Sequence, residues 1–77
     1  MKKTAQEILD ILKKEGIIEM ETELSMLTIR FRTFYTQQKT FNFELNAKAV
    51  DGCKTPVTAL KKIQKYIDQG FTVVEFE

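Results

Sequence analysis

The sequence predicts an α+β fold, a two-layer sandwich in the order α-β-β-β-α-β. An antiparallel meander and a C-terminal strand would form the sheet, with both helices on one face. Three observations predict it. Apolar residues alternate with period two between Ile17 and Val50, apolar stripes at helical spacing flank that stretch, and a β-prone run, residues 71–77, closes the chain.

The first helix is expected over residues 4–15. Thr4-Ala5-Gln6-Glu7 has the form of a capping box, in which the Thr4 hydroxyl and the Glu7 carboxylate each satisfy a backbone N–H. Ala5, Ile8, Leu9 and Leu12 then form the buried stripe, with Ile11 at its border. Lys13 and Lys14 suit the negative end of the helix dipole, and Gly16 supplies a left-handed cap.

In the meander the faces follow from parity. Ile18, Met20, Leu24 and Met26 are apolar at even positions, whereas Leu27, Ile29 and Phe31 are apolar at odd ones. Such an inversion requires a chain reversal or a bulge. A reversal at Ser25-Met26 sets Glu21 across from Arg30 and Glu19 across from Arg32, and opposite charges so placed stabilise antiparallel strands. A bulge in one long strand is the other solution, because Ser25-Met26 lacks the Gly or Asn of tight hairpins. The polar stretch Thr36-Gln37-Gln38-Lys39-Thr40 marks the second reversal, which pairs Tyr35 with Phe41, Phe31 with Leu45 and Arg32 with Glu44. The third strand then covers residues 41–50, and Phe31 is the expected centre of the core under both helices.

Asp51-Gly52-Cys53-Lys54 reads as a turn, and Thr55-Pro56 as an N-cap followed by proline at the first helical position. Ala59 or Leu60, Ile63 and Ile67 form the second stripe, flanked by Val57 and Tyr66, and Gly70 ends the helix. The right-handed crossover rule places the last strand parallel to residues 41–50, beside them or at the far edge next to the first strand.

Length and composition bound the function. A chain of 77 residues forms one domain, residues 1–77, and buries a modest core, so self-association or a partner would add stability. A net charge of +1 argues against strong nonspecific phosphate binding. The one cysteine, Cys53, permits no internal disulfide and fits a reducing cytoplasm. No run is long and apolar enough to cross a membrane, and MKKTAQEIL is too polar for a signal peptide. Ten lysines against two arginines, with many Ile, Phe and Asn, point to the AT-rich coding of small bacterial and phage proteins.

There is no His, so the usual general base near neutral pH and the common zinc arrangements are missing. Gly16, Gly52 and Gly70 each sit at an expected element end and form no phosphate loop. Glu19 and Glu44 could flank a common site, but they read better as partners of Arg32. No enzyme, cofactor or metal is expected. The leading expectation is a small protein-interaction module with an open sheet face. It would self-associate or act as an adaptor or inhibitor of the phage or mobile-element type. Phe34 would be its aromatic anchor, surrounded by Arg32, Tyr35, Gln37, Lys39 and Val73. The alternative is nucleic-acid binding through Lys54, Lys61, Lys62 and Lys65. Double-stranded-RNA-binding domains share the order α-β-β-β-α, but their long first loop and their lysine cluster at a helix start are missing here.

Overall fold

A computed structural model describes residues 3–33 and 39–74. Its elements are α1 (Ala5–Glu15), β1 (Ile17–Glu21), β2 (Met26–Thr33), β3 (Lys39–Leu45), β4 (Lys48–Cys53), α2 (Pro56–Asp68) and β5 (Thr72–Val73). The expected α+β architecture is present, with one strand more than the sequence announced. The sheet has the order β4-β3-β2-β1-β5, and every neighbouring pair is antiparallel.

Both helices begin and end where their capping residues say. Glu7 N–H donates to the Thr4 hydroxyl at 3.2 Å and Thr4 N–H donates to the Glu7 carboxylate at 3.0 Å, so the capping box is closed. Gly16 takes the left-handed conformation, φ 84°, and its N–H donates to the Leu12 carbonyl. At α2 the Thr55 hydroxyl accepts from Thr58 N–H and Pro56 occupies the first turn. The stripes Ala5, Ile8, Leu9, Leu12 and Ala59, Ile63 lie buried against the sheet residues Ile18, Met20, Leu27, Ile29, Phe41 and Phe43 in one cluster. Both helices therefore cover the same face.

The parity inversion is a hairpin, but its register differs from the expected one by four residues. Glu21 lies across from Met26, and Arg30 across from Ile17. The turn is a four-residue loop, Thr22–Ser25, closed by Thr22 N–H donating to the Ser25 carbonyl at 2.9 Å. The Thr22 hydroxyl accepts from the N–H groups of Leu24 and Ser25. That local bonding replaces the positive φ angles a two-residue turn at Ser25-Met26 would have demanded. The second hairpin is displaced by four as well, and Phe31 rather than Tyr35 pairs with Phe41. Both displacements are even, so the residues that stay in β1, β2 and β3 keep their assigned faces, while Leu24 moves into the loop.

Residues 46–47 are not strand interior. Asn46 (φ 50°) and Ala47 (φ 69°) form a two-residue hairpin turn with both φ positive, after which β4 returns along β3. Val50 is a bulge in β4, since Phe43 pairs with Asp51 and Glu44 with Ala49. The expected turn at Asp51–Lys54 is thus largely strand. The last strand takes the far edge, antiparallel to β1, and so runs with β4 but against β3.

Phe31 is not the centre of the core. It is half-buried, stacked on Phe41 at 4.3 Å between ring centres, while Phe41 and Phe43 are fully enclosed. Phe41→Ala should cost about 3–5 kcal/mol in chemical denaturation, the usual range for a buried Phe, and Phe31→Ala clearly less. Equal losses would contradict this placement. At the β3–β4 turn, Ala47→Gly should raise stability by about 0.5–1 kcal/mol, the left-handed cost of an L-residue less the extra unfolded-state freedom of glycine. A loss of stability in the same titration would show that Ala47 is not held at positive φ.

Candidate functional site

One face of the sheet carries no helix, and its residues follow from the registers. Across β1, β2 and β3 they form four rows. Glu21 and Met26 make the first, and Glu19, Thr28 and Glu44 the second. Ile17, Arg30 and Asn42 follow, and then Arg32 and Thr40. Within these rows Arg30 Nε donates to Glu44 Oε2 in a diagonal ion pair at 3.4 Å.

Exposed apolar side chains lie in the first row, in the loop beside it and in the third row. Leu24 is 92% exposed at the tip of the Thr22–Ser25 loop, Met26 is 36% exposed and Ile17 is 40% exposed. Met26 is fixed through its backbone: its N–H donates to Asn46 Oδ1 at 2.9 Å, and its carbonyl accepts from Asn46 N–H at 2.8 Å. The Asn46–Ala47 turn therefore pins the start of β2. Leu24 and Met26 were not singled out from the sequence. Their exposure depends on the four-residue loop, which a reversal at Ser25-Met26 would have drawn into the hairpin.

The residues singled out for interaction separate. Arg32 is on the open face, across from Thr40. Lys39 lies on the helix side, across from Thr33, with its ammonium 5.5 Å from the Phe31 ring centre. Val73 faces the core beside Met20 and does not contribute to the open face. Phe34, Tyr35 and Gln37 lie outside the described residues.

Three of the four lysines, Lys61, Lys62 and Lys65, lie on α2, and Lys54 just precedes it. Lys62 Nζ donates to Asp51 Oδ2 at 2.6 Å, tying α2 to β4. Lys61 borders a shallow groove with Leu60, Gln64 and the start of α1, while Lys54 lies near Cys53 and Gly52. Lys65 is exposed on α2. The hydrogen bond from Lys62, followed by that from Gly52 N–H, holds the Asp51 carboxyl below its usual range, and the bond to Asp51 raises Lys62. Burial pushes the Cys53 thiol up, so it is protonated at neutral pH.

A cavity of about 30 Å³ beneath β5, lined by Ile8, Met20, Ile67 and Phe71 among others, has room for a water-sized group. Among the described residues no three His, Cys, Asp or Glu cluster to hold a metal, and no helix is long and apolar enough to cross a membrane. The chain matches no family model, no curated protein and no solved structure.

The Asp51–Lys62 pair gives a pH prediction. A lowered carboxyl contributes stability that is complete above its ordinary value, about pH 4, and is lost as pH falls through the lowered one. A raised ammonium contributes below its ordinary value, about 10.4, and loses that contribution as pH rises through the raised one. The difference in thermal midpoint between the parent and Asp51→Asn should be small and constant in between, and should shrink outside those limits. A difference that persists well below the acidic limit would show that Asp51 acts through something other than its charge.

Proposed function

We propose that the chain is a small, non-enzymatic, cytoplasmic protein-interaction module, self-associating or acting as an adaptor or inhibitor, which binds through its open sheet face. The observation that carries this reading is the ordered apolar end of that face. Single exposed apolar residues are ordinary. Leu24 is different, because three hydrogen bonds within Thr22–Ser25 hold its loop in one conformation. Met26, beside it, is held through two bonds to Asn46. A side chain presented on a rigid support loses little entropy on binding, which is how a few apolar anchors come to dominate an interface.

The fold itself does not need these side chains. Leu24 lies outside the buried cluster, and Met26 belongs to the uncovered face. Truncating them should therefore separate binding from folding. With the parent immobilised, Leu24→Asp and Met26→Asp should each reduce captured protein at least tenfold, a loss of about 1.4 kcal/mol or more. Their thermal midpoints should stay within a few degrees of the parent. Variants that retain the same proteins in the same amounts would overturn the reading.

A further inference from the structure

The charges of the open face are sorted along the strands. Glu19, Glu21 and Glu44 occupy the first two rows, and Arg30 and Arg32 the last two. Within the sheet, Arg30 Nε and Glu44 Oε2 meet across the boundary between the two halves, at 3.4 Å. Directly opposite charges would support the strand pairing, yet Glu19 faces Thr28, Glu21 faces Met26 and Arg32 faces Thr40. A face that is acidic at one end and basic at the other is complementary to itself turned end for end.

We propose that the occupant of this face is a second copy of the chain, packed sheet on sheet with its strands reversed. This rests on the interaction reading above and names its partner. The two-fold axis lies in the interface, across the strands, so the acidic rows of each copy meet the arginine rows of the other. An axis along the strands would stack like charges and is disfavoured. Two sheets packed at their usual separation of about 10 Å bring such long side chains into contact, with Met26 and Ile17 supplying apolar area.

Pairing through an edge is a poorer solution. β4 carries the Val50 bulge and Gly52, and β5 spans two of the described residues. Bulges and short edge strands resist edge-to-edge pairing. The described open face measures roughly 20 by 20 Å from strand spacing and rise, about 400 Å² a side, which is the size of a weak, transient contact. The dimer is accordingly weak and sensitive to salt.

Charge exchange tests this arrangement. At about 1 mM and low salt, sedimentation equilibrium of the parent should give a mass approaching twice the 9.0 kDa monomer. Glu21→Lys and Arg32→Glu, both at exposed positions, should each be monomeric, because like charges then meet twice in each homodimer. Mixed in equal amounts they should regain the dimer, since both contacts are attractive in the heterodimer. Glu19→Lys replaces Glu21→Lys in the exchange if the latter lowers the thermal midpoint. A monomeric parent, variants that dimerise like the parent, or a mixture that stays monomeric would each overturn the proposal. The interaction reading falls separately, by the capture assay with Leu24→Asp and Met26→Asp.

Discussion

Met20, Leu27, Ile29, Phe41 and Phe43 present an apolar surface that two short helices must cover completely, and the rest of the structure is subordinate to that burial. Neither helix could do it alone, because each offers only a narrow stripe. α1 contributes Ala5, Ile8, Leu9 and Leu12, and α2 contributes Ala59 and Ile63 with Leu60 and Ile67 at the border. Aromatic contacts complete the cover where the stripes run out. Phe43 stacks on Tyr66 at 5.9 Å, and Tyr66 meets the edge of Phe71 at 5.4 Å. Phe71 N–H also donates to the Tyr66 carbonyl, so the chain leaves α2 already bound to the core and enters β5 at the correct height.

The same constraint explains what was legible in the sequence. Face assignment survived two four-residue errors in register, because burial selects parity and an even displacement leaves parity untouched. Helix limits were equally readable, since Thr4, Gly16, Thr55 and Pro56 each supply or replace a backbone hydrogen bond by local chemistry. Register was not, because it depends on loop bonding with no composition signal. The Thr22 hydroxyl closes a loop that carries neither Gly nor Asn. Asn46-Ala47 hid a fourth strand because alanine stands where a turn of this kind usually has glycine. Of the described residues expected at the interaction site, Arg32 lies on the open face. Val73 and Lys39 went to the other side with the core, Val73 because the last strand pairs with β1 and sets it beside Met20.

The misplaced register also concealed the electrostatic character of the sheet. With Glu21 across from Arg30 and Arg32 across from Glu44, the open face would have been a set of internally neutralised pairs with nothing left for a partner. The observed ladders join Arg30 and Glu44 diagonally and set the acids and the arginines of the face in separate rows.

The two sides of the sheet consequently answer to different demands. On the helix side, packing density leaves little freedom, and a residue is judged by volume and by the stripe it meets. On the open side, solvent tolerates almost any polar side chain, so the composition of that face is weakly constrained by folding. Order found there beyond what strand pairing rewards is then better accounted for by contact with something outside the fold. The end-to-end separation of acids from arginines is order of that kind. So is the Asn46 side chain, which accepts the Met26 N–H and thereby fixes a half-exposed methionine that the core does not use. The bulge at Val50 and the two-residue β5 blunt the edges at the same time. Blunted edges and an ordered, uncovered face are what the proposed association through the face requires.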